Sequence, residues 1–155
     1  MKSAIAKKGL RVVGLALALG LCAASGSLAW ADEHEARREH AAAYTNALRG
    51  VVASTPETAP WAQHAFYVYV VEVPNRDRVR SLLAERGILT GVHYPIPLHL
   101  QPACQQYGYA LGSLPVTEAA AERILSLPMY AELTDTQIQQ VCDALVDVLT
   151  PTPAH

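Results

Sequence analysis

Two histidines and a tyrosine, His93, Tyr94 and His99, stand within GVHYPIPLHLQPA, residues 91–103, among Pro95, Pro97 and Pro102. Imidazole and phenol groups can ligate a metal, move a proton or hydrogen-bond a polar ligand. A shared metal ion is the first chemistry to weigh. On an extended strand His93 and His99 would share a face, yet that much strand spans roughly 20 Å. Polyproline geometry returns to the same face at nearly the same distance. No CxxC or HExxH accompanies them, so the pattern argues against a metal site. Cys104 follows His99 closely, but nothing around it marks an activated thiol. The prolines fix φ and restrict the residues before them, so His93, Tyr94, His99 and Gln101 are expected to point in defined directions. Such a strip serves either as a hydrogen-bonding surface for a polar ligand or as an ordered structural loop; the residues alone favour neither.

The elements that must position this strip are few. EHEARREHAAAYTNAL (33–48) favours helix by composition, with Gly50 as a stop. VASTPETAPW (52–61) reads as a loop. AFYVYVVEV (65–73) is β-branched and aromatic, apolar on both alternating faces, and predicts a strand covered on both sides. Pro74 ends it, Asn75 is expected to cap a helix with Asp77 in its first turn, and Gly87 closes that helix after Val79, Leu82, Leu83 and Arg86. ILTGVHY then predicts a second extended segment. A short helix is expected around Val116 to Ile124. Thr134 and Gln137 predict a capping box, and Leu133 with Ile138 a hydrophobic staple. Ile138, Val141, Cys142, Leu145, Val148 and Leu149 continue as one helical stripe to Pro151 and Pro153. The expected class is α+β with few strands. No internal repeat is present.

The first residues follow a different logic. Lys2, Lys7, Lys8 and Arg11 precede the apolar run Val12–Ala24, and Ala29-Trp30-Ala31 offers small residues for cleavage. Residues 1–31 therefore read as a signal peptide or a non-homologous N-terminal segment, and 32–155 as the domain. The apolar run is too short for a comfortable membrane span. Leu21, before Cys22, sits where a lipoprotein signal needs a small residue. Without residues 1–31, eight arginines face fourteen acids, with no lysine and no dense basic patch. Nucleic-acid binding thus lacks its electrostatic footprint. Cys104 and Cys142 are too far apart in sequence to form a disulfide framework, and the apolar helical stripe makes Cys142 a buried free thiol.

GVHYPIPLHLQPA together with LPVTEAAAERILSLPMYAELTDTQIQQVCDAL (114–145) resembles the C-terminal portion of the DegT/DnrJ/StrS-type sugar aminotransferases. The resemblance rests on the HYPxPLHxQP core, the Pro-Val-x-Glu-x-Ala helix start, and SLPMY followed by LTDxQI. ARREHAAAY, AFYVYVVEV and ERGI also fit, and the similarity runs over about residues 33 to 149. Where Tyr67 stands the family often has histidine. ALGL, 18–21, is similar to a family helix that precedes ARR, but lies about one turn too far from it.

The resemblance implies the small C-terminal α+β domain of a fold-type I enzyme, a few-stranded sheet packed with helices. That family uses pyridoxal phosphate to move an amino group onto a nucleotide-linked keto sugar, generally as dimers. It implies substrate contacts at His93, Tyr94 and His99, and a separate large domain or a homodimer partner. It also implies a cytoplasmic setting, whereas the N-terminal pattern implies a secreted or periplasmic one. Pyridoxal phosphate needs a Schiff-base lysine, and from Gly9 to His155 there is none. The expectation is a truncated transaminase, inactive alone and binding no cofactor itself. The alternative is an exported, non-enzymatic binding or interaction module.

Overall fold

A computed structural model of the chain describes residues 32–150. The N-terminal signal reading, the lysines, Cys22, Pro151 and Pro153 lie outside them. The first helix, α1, occupies residues 32–48 and turns out at Gly50, whose φ of 78° suits a residue without a Cβ. Ala41, Tyr44 and Leu48 recur on one helical face and are buried. Polar tips on the same helix fasten it to the chain's second half: His40 Nε2 lies 3.1 Å from the Ala131 carbonyl oxygen, and the Tyr44 hydroxyl donates to that of Pro128 at 3.0 Å.

The sheet has two antiparallel strands, β1 (Tyr69–Glu72) and β2 (Ile124–Leu127), with Tyr69 opposite Leu127 and Val71 opposite Leu125. Those four side chains form the buried face. Single-residue bridges extend both edges, Ser54 on Glu72 and Gly91 on Ser126. Between the strands run α2 (Arg76–Glu85) and α3 (Pro115–Arg123), and α4 (Asp135–Leu149) follows. α2 packs on α4. The core joins Tyr44, Leu48, Tyr69, Val71, Leu83, Leu125, Ile138 and Leu145, and each wholly buried leucine there contributes about 1.5–3 kcal/mol.

The clearest expectation from sequence is met at α4. The Thr134 hydroxyl accepts from the Gln137 N–H, and the Gln137 side chain accepts from the Thr134 N–H. Leu133 and Ile138 are both buried, and Ile138, Val141, Cys142 and Leu145 line the inner face. Cys104 and Cys142 are both free thiols. Burial, then the nearby Asp143, pushes the Cys142 thiol up to about 11, so it stays protonated and inert.

Four local expectations are corrected. The strand expected over 65–73 is paired only from Tyr69 to Glu72, because Phe66 adopts a positive φ of 44° and gives its N–H to His64 Nδ1. Its second face, Val70 and Glu72, is half-buried rather than covered. Asn75 stands at the start of α2 in a left-handed conformation and makes no side-chain cap. ILTGVHY supplies one bridge at Gly91 instead of a strand, since Pro95 and Pro97 just beyond it have no N–H to donate. The second strand is Ile124–Leu127, which directly follows α3 without a break, so its apolar residues merge with the helical stripe in the sequence.

Candidate functional site

Gly91 begins the strip. Its N–H donates to the Ser126 carbonyl oxygen at 3.0 Å, and the Ser126 N–H returns to the Gly91 oxygen at 2.8 Å. This reciprocal pair of hydrogen bonds anchors the strip to the outer edge of β2. Beyond the bridge the chain bends. Pro97 leads into a 3-10 turn, Leu98–Leu100, and Pro102 opens another that runs to Tyr107. The prolines thus set turns rather than an extended or polyproline path. The turn decides which way each histidine faces.

His93 lies over the half-buried face of the sheet, with Nδ1 2.8 Å from the Ser126 hydroxyl. Tyr94 is well exposed, its ring edge-on to that of His93 at 5.5 Å between centroids. His99 is only 7 % exposed and turns inward. Its Nε2 meets Glu118 Oε1 at 2.9 Å, and Tyr109 stands edge-on to its ring. The structure therefore groups His93 with Tyr94 and sets His99 apart from them.

Glu118, in the first turn of α3, is the busiest polar group of this region. Its carboxylate accepts the Gly112 N–H at 2.8 and 3.0 Å and the Leu114 N–H at 3.1 Å, besides His99. These bonds hold its pKa below the ordinary carboxylate value, the Gly112 N–H contributing most and His99 next. One carboxylate thus fastens the strip, the 108–114 loop and the start of a helix whose N-cap position, Leu114, has no capping side chain.

A groove of about 580 Å³ opens beside the strip, with His93, Tyr94, Gln101 and Thr117 as polar lining and Ile96 and Ile124 as apolar lining. No acidic, lysine or arginine side chain lines it. It suits a neutral, hydroxyl-bearing group better than a naked phosphate. A second depression of about 480 Å³ between α2 and α4 carries Arg78, Arg86 and Asp147, but Arg86 is already committed to the Ala144 oxygen at 2.8 Å. Tyr94 and Leu98 of the groove lining, and Tyr107, Leu111 and Val116 in the segment that follows, are each two-thirds exposed or more. Among the described residues no group of three or more His, Cys, Asp or Glu is placed to hold a metal, and no helix is long and apolar enough to cross a membrane.

Ser126, Glu118 and Thr117 escape sequence reasoning. Ser126 sits in an apolar run and gains its role only from the bridge to Gly91. Glu118 carries one visible signal, an acid in the first turn after Pro115, but its partners in the strip and loop are brought in by the fold.

The family model for the "DegT/DnrJ/EryC1/StrS aminotransferase family" matches residues 21–146, and so begins inside the N-terminal segment, before Ala31. The chain is 43 % identical over 116 residues to a "Pleiotropic regulatory protein" of Geobacillus stearothermophilus, covering 73 % of this chain and 31 % of that protein. It is 39 % identical over 120 residues to a dTDP-3-amino-3,4,6-trideoxy-alpha-D-glucose transaminase of Streptomyces venezuelae, covering 76 % and 32 %. Among solved structures it superimposes on a DegT DnrJ EryC1 StrS aminotransferase from Brucella abortus with a TM-score of 0.71, at 37 % identity, covering 77 % of this chain and 32 % of that one. For S. venezuelae DesV the TM-score is 0.73, at 36 % identity, covering 77 % and 33 %. The chain spans about a third of the length of these relatives.

Proposed function

The chain belongs to the DegT/DnrJ/EryC1/StrS aminotransferase family, and on that premise we propose that residues 32–150 form the substrate-side small domain of a nucleotide-sugar aminotransferase. The observation that carries the reading is the groove in which His93 and Tyr94 stand beside Gln101 and Thr117 without any charged side chain. These two residues meet the ligand, while His99 acts from behind by tying the strip to Glu118. Relatives whose names specify a substrate act on dTDP- or UDP-linked sugars, and the neutral hexose of such a sugar is the part assigned to this groove, its diphosphate lying outside it.

Pyridoxal phosphate is the family's cofactor, and the described residues do not fit it. They contain no lysine to bind its aldehyde, and the groove has no cation for its phosphate. The small domain alone is therefore proposed to be inactive as a transaminase. A large domain supplies those groups and covers exposed apolar side chains such as Leu98, Leu111 and Val116.

The test is a titration of the 155-residue chain with a dTDP-hexose, followed at the His93 and Tyr94 ring resonances. Saturable shifts at both rings support the reading. Shifts confined to other parts of the surface, or none at millimolar ligand, sink it. Separately, a borohydride-reducible pyridoxal phosphate adduct at one defined site would overturn the claim of inactivity.

A second reading, an exported binding module, rests on the basic and apolar pattern before Ala31. Mass spectrometry of the protein from its native cells decides between them. A mature N-terminus at Asp32 supports export, and an intact Met1 in the cytoplasm removes it.

A further inference from the structure

We propose that Ser126 and Gly91 are positioning residues that together fix the orientation of the His93 ring, so that Nε2 is the ring nitrogen offered to the groove. The inference rests on the functional reading above for what the ring then meets, but its geometric part stands on its own observations.

The first is the hydrogen bond between His93 Nδ1 and the Ser126 hydroxyl at 2.8 Å. Ser126 is itself only 4 % exposed, so its hydroxyl has little water to turn to and the bond is not readily exchanged for solvent. Among the described residues nothing hydrogen-bonds Nε2, and the ring lines the groove. A serine hydroxyl can donate to a bare Nδ1 or accept from a protonated one, so the bond holds the ring's orientation in either tautomer. With Nδ1 engaged, Nε2 is the ring nitrogen left for a ligand.

The second observation is the space for the ring. A Cβ built on Gly91 would lie 2.7 Å from His93 Cε1 and 3.3 Å from Nδ1. Any side chain at 91 would push the imidazole away. The requirement here is one of room and not of backbone shape. The third is the double backbone bond between Gly91 and Ser126. The residue that makes room for the ring is thereby pinned to the residue that holds it.

The sheet register explains why Ser126 is free for this work. Leu125 and Leu127 point into the core, while Ser126 and Ile124 point to the opposite face, across from Val70 and Glu72. One face of β2 is spent on stability, and the other carries His93.

The experiment uses the 155-residue chain labelled with 15N in its histidines, with the shifts of the two His93 ring nitrogens measured near pH 8. In the unaltered protein the Nδ1 shift should be displaced from that of a free imidazole by its bond to Ser126. Ser126→Ala should shift the His93 nitrogens toward the averaged values of a free imidazole, and Ser126→Thr should restore them. Gly91→Ala should have the same effect as Ser126→Ala although the hydroxyl is still present, and this second variant separates displacement of the ring from loss of the hydroxyl. Far-UV circular dichroism checks that each variant is folded. Unchanged nitrogen shifts in both Ser126→Ala and Gly91→Ala would overturn the proposal. In a parallel titration with a dTDP-hexose, Ser126→Ala is expected to bind about tenfold more weakly, the scale of one lost hydrogen bond. Altered nitrogen shifts with unaltered binding would leave the positioning role intact and remove His93 from the ligand contacts. The two readings therefore fail separately.

Discussion

The core and the strip solve the same problem of holding a chain in place by different means. In the core, α1, the sheet, α2 and α4 bring Tyr44, Tyr69, Leu83 and Leu145 together with no exposure at all, and many weak contacts share the load. The strip and the loop after it, residues 91–114, leave Tyr94, Leu98, Tyr107 and Leu111 on the surface. A few polar contacts fasten them instead: Gly91 on Ser126, His93 on Ser126, and Glu118 on His99, Gly112 and Leu114. The difference teaches where each kind of damage should appear. Core changes should lower the stability of the whole domain, whereas strip changes should alter local order and ligand contact.

The comparison is broken most severely by Leu145→Ala, which removes a wholly buried side chain and leaves a cavity. It should cost about 2–5 kcal/mol of unfolding free energy, read as a lower midpoint in urea. A loss below that range would mean that the cavity collapses and the core is looser than its burial implies. Next in size is Thr134→Ala. It deletes the hydroxyl half of the capping box on α4 and should cost about 1 kcal/mol in the same assay, with Thr134→Asp close to neutral.

Glu118→Gln probes the other side of the comparison. Faster hydrogen exchange is expected at the Gly112 and Leu114 amides, with protection unchanged at Val141 and Leu145. Uniform acceleration through the core would show that the two regions are one cooperative unit. The pH dependence carries a sign. Because the folded-state pKa of Glu118 lies below its ordinary value of 4.5, its stabilising contribution is fully present above pH 4.5 and is lost as the pH falls through the lower folded value. The Gly112 amide should therefore lose protection only under acid conditions, and that step should vanish in Glu118→Gln. The smallest effect is expected from Leu111→Ser on the exposed face, within about 0.5 kcal/mol for the chain alone. The same substitution should weaken association with a large domain, measured by co-purification.

Much of the core was legible because its signals are periodic and local. The α4 stripe and its capping box need only neighbours along the chain, and the helix over 33–48 was expected from composition alone. β2 was not legible, since four residues directly after a helix offer too little alternation to stand out. The candidate site was half legible. His93, Tyr94 and His99 are conspicuous by type, but their different burial was not, since the 3-10 turn, Leu98–Leu100, turns His99 inward while His93 and Tyr94 stay on the surface. Ser126 was invisible as a site residue because its partners, Gly91 and His93, lie far away in the chain, and Glu118 showed only as an acid at a helix start.

By itself the sequence determined the family, the amphipathic helices, the stiffness of the strip, and the lack of a Schiff-base lysine beyond residue 8. These follow from residue identity and short-range spacing, which need no fold to be read. Only the tertiary structure decided which histidine faces the groove and which is buried, and that Ser126 and Glu118 are the groups that hold them. Those outcomes depend on a strand register and a helix start that bring together residues 19 and 33 positions apart, distances over which the order of residues carries no geometric information.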